Sequence, residues 1–297
     1  GKAPTQTPEQ IMQNPTDSSL KLLSTNRGDI IRENLLSVQT MKDAVNVTAA
    51  ETGEVELASL TLTQEALLTA VADTSWEIAG TGDFNSDGKT DILWRNYGTG
   101  QYQGWNTVWY LDGTTLQGEA FVYAISDTTW RIEGTGDFNS DGKTDILWRN
   151  YGTGPYRGWN IIWHMDGTTL LGEVMAYAVL DTDWRIAGTG DFNSDGKTDL
   201  LWRNYGTGQY QGWNTVWYLD GATLVGEGMV YVITDTSWRI EGTGDFNSDG
   251  KTDIIWRNYG AGGYQGWNNI WYMDGTTLLA EDLLIVIPDT NWKIVNR

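Results

Sequence analysis

Residues 82–91 read GDFNSDGKTD, and the same ten residues return unchanged at 136–145, 190–199 and 244–253. Successive copies are 54 residues apart, since 137 − 83 = 54. A constant period near this length is typical of propellers and solenoids, whose units bury a core only by stacking on one another. The 297 residues therefore indicate one repeat array rather than two ordinary domains.

Each repeat unit predicts four short strands joined by tight turns. In the first unit they are expected at 76–82, 92–96, 105–111 and 121–125. The 17 Trp, 14 Tyr and 36 Gly of the chain suit strands and turns rather than helices. Four antiparallel strands in a repeated unit are the pattern of a β-propeller blade, and the recurring tryptophans are expected to pack between blades. The predicted fold is an all-β propeller.

Partial copies of the unit lie at both ends of the array. The four full repeats are predicted at about 72–125, 126–179, 180–233 and 234–288. Residues 292–295 match a first strand, and residues 43–71 match the strands that would follow it. We therefore predict a propeller over 43–297, with a fifth, degenerate blade built from 43–71 and 289–297. Pairing of the two terminal segments would remove exposed sheet edges. The alternative is four blades that complete a larger ring with a second chain.

Residues 1–42 differ from the repeats and are predicted to be a helical or flexible N-terminal segment. Thr7-Pro8-Glu9 is a helix-start pattern. Ile31, Leu35 and Val38 fall on one helical face. The chain begins with Gly1 rather than Met, as expected of a processed product whose signal peptide is no longer attached.

Charge and composition restrict the possible partners. The formal net charge of −20 disfavours nucleic-acid backbones and anionic membrane surfaces. No apolar run reaches the length of a membrane span, so membrane insertion is not expected. The chain has no Cys, which excludes disulfides and thiol chemistry. Part of the negative charge is expected to be neutralised by bound cations.

The segment at 83–91 and its three copies, here called the Asp loops, predict a metal site. Asp83, Asn85, Asp87 and Asp91 place side-chain oxygens at positions 1, 3, 5 and 9 of the loop, and the carbonyl of Lys89 can add another. Calcium accepts six to eight such oxygens, and the three carboxylates would repel one another without a counter-ion. The equivalent residues are Asp137, Asn139, Asp141, Lys143 and Asp145; Asp191, Asn193, Asp195, Lys197 and Asp199; and Asp245, Asn247, Asp249, Lys251 and Asp253. We expect about four Ca²⁺ per chain; the alternative is a solvated turn without metal.

These residues also carry a family resemblance. The stretch WRIEGTGDFNSDGKTDILWRN at 130–150, followed by a hairpin and a segment such as WYLDG at 109–113, resembles the FG-GAP/VCBS repeat of integrin-like calcium-binding β-propellers. The resemblance covers 65–295 and implies calcium in the loop between the first and second strands of each blade, held by the residues named above. It also implies a secreted or cell-surface protein with a role in adhesion. The chain departs from the family in having four clear, nearly identical repeats, where seven blades are common.

No catalytic arrangement is visible in the sequence. The single histidine, His164, has tyrosine counterparts at 110, 218 and 272, which favours a packing or surface role. No serine nucleophile has a candidate base, and the repeated carboxylates are accounted for by calcium. The sequence therefore predicts a binding protein and not an enzyme.

The glycine-rich hairpin at 97–105 and its copies, here called the aromatic loops, are the candidate ligand sites. Tyr97, Tyr102 and Trp105 could pack against sugar rings, while nearby Asn and Gln amides bond to sugar hydroxyls. The equivalent rings are Tyr151, Tyr156 and Trp159; Tyr205, Tyr210 and Trp213; and Tyr259, Tyr264 and Trp267. Near-identical copies would give a multivalent lectin. The alternatives are loops that meet a protein partner or another copy of the chain, in an adhesion or surface-structural role, and rings that only pack between blades.

Overall fold

The computed structural model describes residues 66–295. The first blade is a four-stranded antiparallel sheet with its strands in chain order. Its strands are β1 (Trp76–Gly82), β2 (Asp91–Asn96), β3 (Asn106–Asp112) and β4 (Thr115–Val122). β4 begins earlier than the predicted fourth strand, because Gly113, at φ 61°, closes a tight turn directly after β3.

Three further blades repeat this sheet. The second is β5 (Trp130–Gly136), β6 (Asp145–Asn150), β7 (Asn160–Asp166) and β8 (Thr169–Met175); the third is β9 (Trp184–Gly190), β10 (Asp199–Asn204), β11 (Asn214–Asp220) and β12 (Thr223–Val230); the fourth is β13 (Trp238–Gly244), β14 (Asp253–Asn258), β15 (Asn268–Asp274) and β16 (Thr277–Leu283). Each sheet keeps the same strand order. The prediction of an all-β propeller built from four-stranded, 54-residue blades is confirmed. Among the described residues, no helix has the length and apolar character needed to cross a membrane.

The core lies between successive blades. Every residue of the second strand is buried in all four blades, since each of these strands is covered on both faces. One cluster joins Leu93 and Val108 of the first blade to Trp130, Ile132 and Trp148 of the second. This packing explains why the second strands do not alternate between apolar and polar residues, and it places the tryptophans of these strands where the sequence predicted them.

The first strands of the blades line the centre of the molecule, where β1, β5, β9 and β13 are neighbours in that order. Threonine hydroxyls join them: Thr135 donates to the carbonyl of Thr81 at 2.5 Å, and Thr189 donates to that of Thr135 at 2.7 Å. Close approach also explains a repeated glycine, because a Cβ on Gly82 would lie 2.5 Å from Cγ2 of Thr144 in the next blade. The conserved spacing of Gly and Thr within the unit therefore serves contact between blades.

The prediction of five blades is wrong, because the described residues form four. The two described parts of the predicted fifth blade, 66–71 and 289–295, contain no strand. In the four complete blades the first strand pairs with the second over most of its length, from Trp76 opposite Asn96 to Gly82 opposite Asp91. The segment 292–295 copies the sequence of a first strand, but it belongs to none of the four sheets. The predicted N-terminal helical segment, 1–42, and residues 43–65 lie outside the described residues, and 66–295 contain no helix.

Two side chains of the segment 292–295 are nevertheless buried. Ile294 belongs to an apolar cluster with Ile255 and Ile270 of the fourth blade. Val295 belongs to a cluster with Ile78 and other residues of the first blade. The repeat match in this segment therefore identified side chains that pack against two blades, although the backbone does not pair as a strand.

Candidate functional site

The Asp loops lie between the first and second strands, and each is shaped by hydrogen bonds to its own carboxylates. The amides of Asp87 and Gly88 donate to Asp83 at 3.0 and 2.8 Å, and the amide of Lys89 donates to Asp87 at 2.9 Å. Ser86 and Gly88 have φ of 59° and 82°, which curls the chain around these oxygens. The other three loops make the same bonds. Identical sequence therefore gives one loop conformation four times.

The predicted calcium ligands divide into an exposed and a buried group. Asn85 and Asp87 are exposed and Asp83 is half-buried, so their oxygens keep lone pairs that face solvent. Asp91 is fully buried, and its two oxygens accept hydrogen bonds from the amides of Phe84 and Leu111, both at 3.0 Å. Over residues 66–295, no group of three or more His, Cys, Asp or Glu side chains is arranged to hold a metal ion. The loop thus offers Asp83, Asn85 and Asp87 together, whereas Asp91 is turned towards backbone amides.

Burial dominates the electrostatics of the ninth loop position. It raises the pKa of Asp91 and Asp253, although backbone hydrogen bonds act in the opposite direction. The same effect raises the pKa of Asp199 to about 6. The negative charges at loop positions 1 and 5 contribute to all three shifts. A cation in the loop would relieve this repulsion, because it favours the ionised carboxylates.

The lysine side chain of each Asp loop points to the turn after the third strand. Nζ of Lys89 lies 3.0 Å from a carboxylate oxygen of Asp112, and the other blades have equivalent pairs at 2.8 to 2.9 Å. The ammonium group is therefore held by a partner outside the predicted ligand set. The carbonyl of Lys89 remains the only part of this residue predicted to meet the metal.

Adjacent Asp loops are connected. The hydroxyl of Thr144, in the second loop, donates to the carbonyl of Asp83 in the first at 3.2 Å. The bonds from Thr198 to Asp137 and from Thr252 to Asp191 repeat this connection at 3.0 and 2.9 Å. Each loop therefore contacts the first ligand position of its neighbour. The second blade differs from the other three in one contact of its Asp loop. Nδ1 of His164, which replaces the tyrosine of the other blades, lies 3.1 Å from the buried carboxylate of Asp145.

The aromatic loops lie at the opposite end of the blades, because they connect the second strand to the third. Tyr102 packs against Trp76 and Trp105, with ring centroids 6.2 and 5.3 Å away. The side chain is 42% exposed, and its counterparts Tyr156, Tyr210 and Tyr264 are 50%, 41% and 56% exposed. The same two tryptophan contacts recur in every blade. Each blade thus presents one tyrosine face to solvent on a tryptophan support.

The other predicted ring of the loop is placed differently. Tyr97 is half-buried, and its hydroxyl accepts a hydrogen bond from the amide of Ile132 in the next blade at 3.3 Å. The guanidinium carbon of Arg131, also in the next blade, lies 4.4 Å from the centre of the Tyr97 ring. Tyr97 and its counterparts Tyr151, Tyr205 and Tyr259 therefore lie towards the centre of the molecule, and the structure does not bring them together with the exposed tyrosines.

The polar side chains predicted to meet sugar hydroxyls are partly engaged in the fold. Asn96 and Asn106 are buried, and Asn106 bonds to the carbonyl of Tyr123 at 2.6 Å. Gln103 is exposed but donates to the carbonyl of Ser126 at 3.0 Å. Gln101 is exposed beside Tyr102. The two glutamines are thus the amides of this loop that face solvent.

Sequence reasoning missed the residues that hold each aromatic loop in place. Arg95 is fully buried and donates to the carbonyls of Gly104, Ile125 and Asp127 at 3.0, 2.9 and 3.3 Å, and to the Asn106 side chain at 3.0 Å. Arg149, Arg203 and Arg257 make the same four bonds in their blades. The available signal was an arginine repeated directly after the apolar run of each second strand.

Comparison with known proteins identifies the repeat. A family model described as FG-GAP-like repeat matches three overlapping stretches, 83–148, 137–202 and 191–256, which together span more than half of the chain. A chain in a crystal structure of a nidogen/laminin complex aligns at 14% identity and a TM-score of 0.43, covering 72% of this chain and 67% of that one. A search of curated proteins finds no match.

Proposed function

The chain belongs to the FG-GAP-like repeat family, and from this premise we propose that it is a non-catalytic, multivalent binding module whose aromatic loops bind carbohydrate. The observation that carries the proposal is the set of four equivalent exposed tyrosine rings, Tyr102, Tyr156, Tyr210 and Tyr264. An aromatic face presented to solvent can cover the apolar face of a sugar ring. Each blade supplies one such face at the same place.

The support beneath each ring favours binding. Tyr102 is held between Trp76 and Trp105, and Gly104 anchors the loop through a hydrogen bond from its amide to the carbonyl of Asn96 at 2.9 Å. A ring that is already ordered loses little conformational entropy when a ligand covers it. In the first blade the exposed Gln101 and Gln103 add hydrogen-bond partners. Four such sites, each weak, would gain affinity together for a ligand that carries several sugar units.

Calcium has a supporting role in this proposal. The Asp loops would hold about four Ca²⁺ per chain through the oxygens of Asp83, Asn85 and Asp87 and the carbonyl of Lys89, with equivalent residues in the other blades. Asp91 would complete the set through the remaining lone pairs of its carboxylate oxygens, each of which accepts one backbone hydrogen bond. Bound ions would add +8 to a formal net charge of −20 and stiffen the end opposite the sugar sites. Weak sites would fill at extracellular calcium concentrations, which is why we place the protein outside the cell or on its surface.

The main alternative is a module that binds protein, in adhesion or in self-association, and one feature of the outer strands favours it. Leu171, Val225 and Leu279 are 57–60% exposed at equivalent positions of β8, β12 and β16. Tyr123 and Tyr231, at the ends of β4 and β12, are 68% and 69% exposed. Repeated apolar side chains on an exposed sheet edge are a feature of protein-binding surfaces. These side chains are different from the four exposed loop tyrosines, so the two functions can be tested with separate variants.

A glycan array with calcium-loaded protein tests the proposal. The decisive variant replaces Tyr102, Tyr156, Tyr210 and Tyr264 by Ala. The matched control replaces Tyr123, Tyr177 and Tyr231 by Ala, which removes similarly exposed rings that contact tryptophans of the third strands instead of the loop tryptophans. We expect the first variant to lose glycan binding and the control to retain it. Equal binding by both variants, or no glycan bound by the unaltered protein, would overturn carbohydrate binding and leave the protein-binding alternative.

A further inference from the structure

The centre of the aromatic-loop end carries a group of arginines that the binding proposal does not use. Arg131, Arg185 and Arg239 occupy the second position of β5, β9 and β13, and are called here the central arginine cluster. These three strands are direct neighbours at the centre of the molecule. The second position lies at the end of the strand where the aromatic loop begins, because Arg131 pairs with Arg149 immediately before that loop. The three arginines therefore occupy equivalent positions around the centre, at the aromatic-loop end of their strands.

Aromatic rings hold the guanidinium groups. The guanidinium carbon of Arg185 lies 5.8 Å from the ring centre of Tyr151 and 5.6 Å from that of Tyr205, so it lies between rings of two adjacent blades. Arg239 lies 5.2 Å from the ring of Tyr259. These contacts orient the side chains through their planar faces, which leaves the N–H groups at the edges free to donate.

Carboxylates neutralise only part of this cluster. Arg131 forms an ion pair with Glu77 at 3.1 Å. Arg185 and Arg239 are both exposed, and neither forms an ion pair with another described residue. Glu133 and Glu241 lie two residues further along their strands and are buried at 4% and 8% exposure. The third blade has Ala187 at this position, so Arg185 lacks even a buried glutamate on its own strand.

Two arginines without carboxylate partners are unexpected in a chain with a formal net charge of −20. Elsewhere in the described residues the lysine of every Asp loop has found a carboxylate. An arginine presents a planar fork of donors that matches the two oxygens of a carboxylate. We propose that the central arginine cluster binds the carboxylate of an acidic sugar unit, while neighbouring units of the same oligosaccharide occupy the aromatic loops.

This inference rests on the proposed carbohydrate binding and adds the charge of the ligand to it. The cluster lies at the same end of the molecule as the four exposed tyrosines, and Arg185 directly follows Trp184, which supports Tyr210. An acidic peptide would satisfy the arginines equally well, but it would leave the repeated tyrosine faces without a role. The surroundings therefore favour a sugar as the carrier of the carboxylate.

The test is a calorimetric titration with two oligosaccharides that differ at one group. A β-1,4-linked glucuronate tetramer carries COO⁻ where cellotetraose carries CH₂OH. We expect the protein in calcium buffer to bind the glucuronate tetramer at least about tenfold more tightly, since a hydrogen bond to a charged group contributes on the order of tenfold or more in affinity. The double variant Arg185→Gln and Arg239→Gln should lose this preference.

Two controls keep the result interpretable. Arg157→Gln removes the same charge from an exposed position in an aromatic loop, where the other repeats carry Gln, and it should keep the preference. The double variant should fold, because the first repeat has Glu77 at this strand position, and its melting temperature checks this. A preference that is absent, or that survives the double variant, overturns the inference. Binding of hexaglutamate in place of the glucuronate tetramer, abolished by the double variant, also overturns it and assigns the cluster to an acidic protein segment.

The failure of this inference differs from the failure of the proposed function. The glycan array with the tyrosine variants decides carbohydrate binding, whereas the paired tetramers decide only the charge preference. A protein that binds neutral glycans through its tyrosines without preferring the acidic tetramer contradicts the inference alone. A protein that binds no glycan on the array contradicts both.

Discussion

The Asp-loop end and the aromatic-loop end of the propeller are stabilised over very different distances along the chain. The bonds that curl an Asp loop join residues at most seven positions apart, as in the bond from the amide of Phe84 to Asp91. The aromatic loop depends on Arg95, which reaches carbonyls 30 and 32 residues further on, at Ile125 and Asp127. The curl of the Asp loop is determined mainly by its own ten residues, to which Leu111 and Thr144 add longer-range bonds, whereas the aromatic loop depends on contacts across an assembled blade. Perturbations should therefore act locally at the first end and through the whole fold at the second.

Removal of calcium should give the largest loss of stability, and it acts on the Asp-loop end. If each Asp loop holds one ion, calcium at a hundred times the dissociation constant stabilises the fold by about 2.7 kcal/mol per site, or about 11 kcal/mol for four independent sites. The melting temperature should therefore fall steeply on addition of a chelator. Calorimetric titration of chelated protein should show uptake of about four ions per chain.

Two aspartate variants test whether calcium uptake depends on the Asp loop. Asp87→Ala removes a predicted ligand, whereas Asp112→Ala removes an exposed carboxylate that only pairs with Lys89. We expect the first variant to lose one ion of uptake and the second to keep all of them. If chelated protein takes up no calcium, the Asp loops are solvated turns and their carboxylates serve only the backbone.

Arg149→Ala should give the next largest effect, at the aromatic-loop end. It removes a buried donor to three carbonyls and the Asn160 side chain. Each buried acceptor left without a partner costs about 1–3 kcal/mol, so we expect a loss of at least about 3 kcal/mol in the free energy of unfolding. Denaturation by urea measures it. Arg149→Lys should not restore stability, because an ammonium group cannot reproduce the planar fork.

The control for this variant is Arg157→Ala, in the exposed part of the same blade's aromatic loop. A surface substitution of this kind changes stability by less than about 0.5 kcal/mol. Calcium uptake should be unchanged in both variants as long as the protein is folded. Similar stabilities for the two variants would mean that the arginine network does not hold the aromatic-loop end.

The features that the sequence predicts correctly depend on local contacts, and those that it misses depend on contacts far apart in the chain. The repeat, the four-stranded blades and the position of the Asp loops depend on local patterns, and the structure agrees with them. The prediction of five blades was wrong because 292–295 match the sequence of a first strand, whereas a strand forms only by pairing with a neighbour, and these residues pair with no described strand. Arg95 was missed because its bonds reach the connection to the next blade, which no local pattern displays. Tyr97 and Tyr102 are five residues apart in one glycine-rich loop, and only the assembled blades separate the half-buried ring from the exposed one.

The cost in stability of a glycine-to-alanine substitution can be compared between the Asp-loop end and the aromatic-loop end. Gly88 and Gly104 both have positive φ, 82° and 74°, so an alanine costs about 1–2 kcal/mol in backbone strain at either position. A Cβ on Gly88 meets nothing within 4 Å, whereas one on Gly104 would lie 1.9 Å from the carbonyl oxygen of Ile125. Gly104→Ala should therefore cost about 1–3 kcal/mol more than Gly88→Ala, because the backbone must shift. Urea midpoints of the two variants give the difference directly, and equal midpoints would contradict the close approach at the aromatic-loop end.

The smallest expected effect on stability separates a binding surface from a packing surface within the aromatic loop. Tyr102→Ala removes an exposed ring whose main contacts are Trp76 and Trp105, and one such aromatic contact contributes about 0.5–1.5 kcal/mol. We expect a loss of about 1–2 kcal/mol in the free energy of unfolding, unchanged calcium uptake, and glycan avidity that is weakened but retained, because three equivalent tyrosines remain. Replacement of a packed aromatic ring costs about 3–5 kcal/mol instead. Tyr102→Phe is the control, since it keeps the ring and removes only the hydroxyl. A loss near the packed value with unchanged glycan avidity would assign Tyr102 to the fold and leave the sugar sites without their central feature.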